Sequence, residues 1–273
     1  MKITFPLAPG LLLCLTMINF ASAQEIMLSK VLLISSPEWK EGADHDAFEK
    51  IFTEKIPASL DMQAPGVKLN LYRADRGQRN LAYLMAWLTD DLSKLQSIIS
   101  GNKHPFSDKT LSKMSSTKVE PSGYLDSHGP WTCYELIGSD KVGALPKTGI
   151  LGIHYIQIRP DKQKAFEEFV VKKLHTSLSV PGMRLLYYKG VDGEEKGSYI
   201  TIYAIESYDA RERFWPTGAP ETQELKDLFQ PYKSLAQELK PFLVVDSYLK
   251  EDTGAGAAIF ESLVWTDYKL VSD

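Results

Sequence analysis

The chain has 273 residues, 44% hydrophobic and 24% charged, with a formal net charge of −4 at pH 7. That length is enough for a sizeable core in one large or two medium domains. The mildly acidic balance has no basic block, which excludes nucleic acid and acidic surfaces as expected partners, and two cysteines are too few for a disulfide framework or a zinc site built on cysteine pairs.

The first 23 residues read as a secretory signal. Lys2 gives the basic start, Leu11–Phe20 is a short apolar run, and Ala21-Ser22-Ala23 is an A-x-A cleavage site before Gln24. The expected localisation is therefore periplasmic or secreted, with cleavage after Ala23. The mature chain keeps 30 cations against 35 anions and a single cysteine, Cys133, in an apolar stretch that reads as buried. No later segment approaches roughly 20 apolar residues, so no membrane span is expected after cleavage.

Val31–Ile34 is a short apolar strand. Asp44 is a plausible N-cap for a helix with Ala47, Phe48, Ile51, Phe52 and Ile56 on one face. Pro65-Gly66 breaks the chain, and Val67–Tyr72 and Leu81–Leu88 read as strands joined by a turn. Leu92, Leu95, Ile98 and Ile99 mark a second helix. Tyr124-Leu125 opens a final strand, and Cys133–Ile137 is an added strand containing Glu135.

The order then recurs. Gly152–Ile158 is a strand, and Phe166, Phe169, Val170 and Leu174 share a helix face. Met183–Lys189 and Ser198–Ile205 are strands on either side of the turn signal Val191-Asp192-Gly193. A second helical region carries the insertion Trp215–Pro220 before Leu225, Leu228 and Phe229. Leu243–Leu249 is read as the last strand and Ile259–Trp265 as the added one.

Motifs repeat with the elements. Ala47-Phe48-Glu49 returns as Ala165-Phe166-Glu167, and Pro65-Gly66-Val67 as Pro181-Gly182-Met183. Tyr83 pairs with Tyr199, Trp87 with Tyr203, Tyr124-Leu125 with Tyr248-Leu249, and Tyr134-Glu135 with Phe260-Glu261. A repeat of over 100 residues is domain duplication rather than a solenoid array. The expected fold class is α+β, as two tandem ferredoxin-like (β-α-β-β-α-β) units at 24–140 and 148–273. They are expected to pack sheet to sheet as an intrachain α+β barrel, because a bare apolar sheet face needs a partner.

This arrangement resembles the dimeric α+β barrel superfamily in tandem form, including EthD-like, NIPSNAP-like and antibiotic-biosynthesis monooxygenase-like proteins. The nearest local likeness is EthD-like: Phe166-x-x-Phe169, then His175 at the helix end, then Pro181-Gly182. The resemblance implies an acid-base role for His175 in the second copy. Copy one carries Ile56-Pro57 in that region and no His.

Strand alternation places Ala82, Leu84, Ala86 and Leu88 on one face and Tyr83, Met85 and Trp87 on the other. Ile200, Ile202 and Ala204 likewise oppose Tyr199, Thr201 and Tyr203. The aliphatic face is expected under the helices and the ring face toward the other sheet. There the rings either fill the barrel or wall a pocket for a flat apolar ligand. Ligand-binding candidates are Tyr83, Trp87, Tyr155, Tyr199, Tyr203 and Trp215, the last in a loop suited to lid a pocket mouth. Catalytic candidates are His175, His154 and Glu261; a satisfied buried His and an edge carboxylate are the plain readings of the latter two.

No histidine spacing suggests a metal, and no phosphate-binding fingerprint is present, so neither metal nor cofactor is expected. The partner expected is a small apolar or aromatic molecule, and a homodimer is a further expectation. Three functions stay open: a cofactor-independent oxygenase, cyclase or dehydratase; a non-catalytic ligand- or haem-binding protein; and a packed structural or interaction module.

Overall fold

Short apolar runs separated by turns and helical segments leave each sheet with one face for helices and one for a second sheet. The computed structural model describes residues 30–51, 66–77, 83–100, 123–127, 129–139, 149–174, 182–230, 233–244 and 265–271. Strands β1 (Val31–Ser35), β2 (Glu38–Trp39), β3 (Lys68–Gly77), β4 (Tyr83–Thr89), β5 (Leu125–Ser127) and β6 (Trp131–Ser139) fall in the first half. β7 (Ile150–Ile156), β8 (Met183–Gly193), β9 (Tyr199–Ile205) and β10 (Trp265–Leu270) fall in the second.

The first half forms the antiparallel order β6-β1-β4-β3 and the second β10-β7-β9-β8, which is the same ferredoxin-like order twice. β3 then pairs with β10, and β8 with β6, closing an eight-stranded barrel. The two sheets thus meet edge to edge as well as face to face, and the barrel leaves no open strand edge. At the seam, Gly193 has φ 95°, and a side chain there would meet the Trp131 carbonyl oxygen at 2.3 Å.

Helices cover the outside. α1 (His45–Lys50) is capped by Asp44, whose side chain accepts from the Ala47 N–H at 3.0 Å. α2 (Leu92–Ser100) follows β4. α3 (Gln163–Phe169) runs on through a wider π-type turn, Val170–Leu174. After β9 come α4 (Tyr208–Phe214), α5 (Gln223–Phe229) and α6 (Lys233–Leu239), the first two capped by Ser207 and Thr222. The insertion Trp215–Pro220 separates α4 from α5. Among the described residues no helix is long and apolar enough to cross a membrane.

The two faces of each sheet are the reverse of the expectation. One buried cluster joins Leu84, Ala86 and Leu88 to Ile200, Ile202 and Ala204, with Tyr72, Tyr134, Tyr188 and Tyr268. It draws on all eight barrel strands and no helix, so it is the barrel interior. Tyr83 and Met85 instead pack with Phe48 of α1, Trp87 packs with Ile51 and Leu95, and Tyr199 and Tyr203 pack with Phe166, Phe169 and Phe214. The physical reason is width. An eight-stranded barrel is just wide enough for side chains to fill. Two strands per sheet give it small aliphatic groups and the edge strands give it four tyrosines, while the larger rings span the gap beneath the helices.

The ends of the repeat also differ from expectation. Leu125–Ser127 lies outside the barrel, paired with β2, and Leu243 makes the matching single bridge to Ile158. The fourth barrel strand of each half is β6 or β10. Leu32 faces Tyr134 and Leu151 faces Tyr268, so Trp131-Thr132-Cys133-Tyr134-Glu135-Leu136 corresponds to Trp265-Thr266-Asp267-Tyr268-Lys269-Leu270. The counterpart of Tyr134-Glu135 is therefore Tyr268-Lys269, not Phe260-Glu261. Residues 245–264, including the expected strand segments there, lie outside the described residues.

Candidate functional site

Because the halves share a register, each helix-side position in one has a counterpart in the other. In the first half Leu33 lies between Trp87 and Cys133, and Ser35 lies opposite Met85. In the second, Gly152 lies between Tyr203 and Asp267, and His154 lies opposite Thr201. An aliphatic side chain, a thioether and a thiol in one half thus correspond to a glycine, a hydroxyl and a carboxylate in the other, with an imidazole beside them. The first half is mainly apolar core at these positions; the second is closely packed and more polar under its helices.

The geometry around Gly152 is close. A Cβ built there would lie 3.1 Å from Asp267 Oδ1, 3.4 Å from Tyr203 Cβ and 3.9 Å from His154 Nε2. The His154 and Tyr203 rings are 4.7 Å apart, and Trp215 stands edge-on to Tyr203 at 6.2 Å. Thr201 is fully buried, and its Oγ1 has no hydrogen-bond partner among the described residues, an arrangement that favours a polar occupant. Burial lowers the His154 pKa to about 3, so the imidazole is neutral at physiological pH, with one nitrogen to donate a hydrogen bond and one to accept.

Asp267 is held from behind by an ion network. Arg76 Nε donates to Asp267 Oδ2 at 2.7 Å, and its Nη1 donates to the Trp215 carbonyl oxygen at 3.0 Å. Arg211, only 4% exposed at its side chain, donates to Asp75 Oδ2 at 2.5 Å and to Glu212 Oε1 at 2.8 Å, and lies 3.5 Å from Asp267 Oδ2. Tyr208 adds a hydrogen bond to Asp75 at 3.1 Å. A bulge in β3 makes this possible. Asp267 pairs with Arg76 and Tyr268 with Ala74, so Asp75 is the extra residue, and Asp75 and Arg76 turn to the same side. Burial pushes the Asp267 carboxyl upward, opposed by Arg76 and Arg211. Burial would also raise Asp75, but the hydrogen bonds from Arg211 and Tyr208 and the Arg211 charge outweigh it, and its pKa is lowered.

Of the candidate residues, His154, Tyr203 and Trp215 come together here. Tyr199 is on the same face, but its hydroxyl donates to Glu167 Oε1 at 2.7 Å, an oxygen shared with Lys189 Nζ at 2.7 Å. Tyr83 is the counterpart in the first half, donating to Glu49, which also takes Arg73 Nη1 at 3.1 Å. Trp87 packs in that half's core, away from this face. Tyr155 turns into the barrel and packs on the interior cluster. His175 and Glu261 lie outside the described residues. Among the described residues no three His, Cys, Asp or Glu side chains converge as a metal-binding group. Gly152, Thr201 and Asp267, with Arg76 and Arg211 behind them, escaped the sequence reading. The Trp-Thr-x-Tyr-x-Leu repeat would have exposed Asp267 as the counterpart of Cys133.

The fold and this face define a class: a tandemly duplicated α+β barrel whose two helix-covered faces have diverged, one apolar and one polar. Among solved structures, an anthrone oxidase-like protein is similar over 88% of this chain and 90% of its own, at 12% identity and a TM-score of 0.50. A proposed monooxygenase from Fusobacterium nucleatum subsp. nucleatum matches over 88% and 92%, at 10% identity and 0.49. A haem-degrading enzyme from Listeria monocytogenes matches over 74% and 89%, at 12% identity and 0.31. At such identities the likeness is one of fold. No protein-family model and no curated protein matches the chain.

Proposed function

We propose that the chain binds a small, flat, apolar or aromatic molecule on the helix-covered face of its second half, between Tyr203, Trp215 and His154. One observation carries this reading: against the first half as an internal control, the second exchanges Leu33, Met85 and Cys133 for Gly152, Thr201 and Asp267. Asp267 is satisfied by Arg76 and Arg211, but the buried Thr201 hydroxyl has no partner among the described residues, and burying such a group costs stability unless it is used. The aromatic walls suit a flat ring, and Thr201 and neutral His154 suit its polar substituents.

Within that reading, the chemistry is cofactor-independent oxidation or a related proton-driven step, with His175 removing a proton from an activated carbon and neutral His154 hydrogen-bonding the substrate. Anthrone is a suitable probe, because its oxidation to anthraquinone by one O2 releases one water and needs no other reactant. Mature protein should consume oxygen with anthrone, His175→Ala should abolish that uptake, and His154→Gln should weaken anthrone binding. Binding without oxygen uptake would assign the non-catalytic alternative, and a Soret band in the purified protein would make haem its ligand. No binding of anthrone or of any co-purified small molecule by native mass spectrometry would overturn the proposal and leave a packed module. Export is part of the same proposal, supported by Lys2, the apolar run and Ala21-Ser22-Ala23. An N-terminus at Gln24 on protein recovered from the periplasm or medium tests it, and an uncleaved Met1 would sink it. A homodimer would have to form through the helical exterior, since the barrel offers no strand edge.

A further inference from the structure

A groove of about 500 Å³ runs over the β3–β10 seam between the helix layers of the two halves. Its lining includes Glu49, Arg73, Asp75, Tyr208, Lys269 and Leu270. It is distinct from the His154 face, from which the Asp75–Arg211–Asp267 contacts divide it.

Its lining holds two carboxylates and two cations, yet the two cations share one register position. Lys269 pairs in register with Arg73, so two cations stand directly opposite each other on one face of neighbouring strands. Directly opposed like charges destabilise a sheet. The other seam shows the balanced alternative, with Glu135 opposite Lys189. The two carboxylates of the lining are already engaged. Glu49 takes Arg73 and the Tyr83 hydroxyl, and Asp75 takes Arg211 and Tyr208. Among the described residues no carboxylate lies within ion-pair distance of Lys269. Its Nζ instead stands 5.4 Å from the Tyr208 ring centre, with the Arg211 guanidinium 4.7 Å from the same ring. The half-buried Val271 and the Tyr208 ring supply apolar surface beside this positive pair.

We propose that the seam groove binds a small organic carboxylate, its anionic head between Arg73 and Lys269 and its apolar body along Tyr208 and Val271. The head relieves the like-charge pair, and a guanidinium beside an ammonium suits a carboxylate by charge-assisted hydrogen bonding. The site does not depend on the ligand proposed for the His154 face.

Calorimetric titration of the mature chain with sodium benzoate, benzamide and inorganic phosphate tests the proposal. Benzoate is expected to bind, more weakly as salt is raised, while benzamide and phosphate do not displace it. Lys269→Glu, which copies the Glu135–Lys189 arrangement, should weaken benzoate by about tenfold, as loss of one charge-assisted contact and gain of repulsion imply, while raising or preserving the Tm at low salt. Lys269→Gln should give a smaller loss in the same direction, and His154→Gln should leave benzoate affinity unchanged. No benzoate binding, equal affinity in Lys269→Glu, stronger binding of phosphate, or loss of benzoate in His154→Gln would each overturn the assignment. The last of these would move the anion to the helix-covered face.

Discussion

Asp267 and Cys133 occupy the same register position in the two halves, Asp267 opposite Arg76 and Cys133 opposite Asp192. One seam therefore holds a buried ion pair where the other holds a thiol beside a carboxylate. Asp267→Cys puts a thiol at this position in both halves and leaves the Arg76 and Arg211 charges without their buried counterion. Removing one partner of a buried pair costs about 3–5 kcal/mol. Chemical denaturation should show a loss of that size, and a loss below about 1 kcal/mol would mean that the network is solvated in solution.

Gly152 offers the sharpest test of the polar face. Gly152→Leu restores the residue found at Leu33 and drives a side chain toward Asp267, Tyr203 and His154, since even a Cβ there sits 3.1 Å from Asp267 Oδ1. Ligand binding on this face should disappear while the circular dichroism of the folded chain is kept. Gly152→Ala should weaken binding less. Unchanged affinity in both variants places the ligand elsewhere.

His154 makes stability depend on acid. Its folded-state pKa is held at about 3 by burial, below the ordinary value near 6.5. Below pH ~6.5 the unfolded chain takes up this proton and the folded chain does not, until about pH 3. Stability is therefore full above that window and falls by about 1.4 kcal/mol per pH unit within it. Between pH 7 and pH 5, wild type should lose about 2 kcal/mol more than His154→Gln in urea titrations. Parallel losses in the two proteins would show that the folded imidazole protonates freely.

The Cys133 thiol is pushed up to about 12, by burial first and by Asp192 and Glu135 after it. A thiolate is the reactive form, so alkylation at Cys133 under native conditions should be far slower than for a free thiol and should accelerate only as the chain unfolds. Rapid native labelling, located by peptide mass mapping, would show that β6 opens locally.

Each half carries one Tyr–Glu–cation set tying its first helix to its sheet: Tyr199, Glu167 and Lys189, and Tyr83, Glu49 and Arg73. Glu167→Leu leaves the buried Tyr199 hydroxyl without its acceptor and should cost about 1–3 kcal/mol. Glu49→Leu should cost a similar amount. If both variants match wild type in Tm, these contacts are surface ornaments.

The element order, the break at Gly182 and the duplication itself could be read from motifs and periodicity. The turn expected at Val191-Asp192-Gly193 instead falls just beyond those residues, because they extend β8 along the seam. The side on which the rings lie could not. Alternation separates Leu84 and Ala86 from Tyr83 and Trp87, but both faces are apolar, and only the narrow bore of a closed barrel decides which goes inside. The Trp131–Leu136 and Trp265–Leu270 match was present as letters, yet the longer connection in the second half shifts its spacing away from that of the earlier motifs. The Arg76–Asp267 contact joins residues 191 apart, and it follows from a bulge and a closed seam that no local pattern announces.

Edge pairing between unlike halves also sets who can partner whom. Two second halves brought together would place β8 against β10, setting Asp192 opposite Asp267 and Lys189 opposite Lys269, a self-repelling match at both positions. Two first halves would set Arg73 opposite Glu135 and Arg76 opposite Cys133, which carries no such conflict. The registers therefore favour pairing between unlike halves, and it is the second half that would meet like charges against a copy of itself.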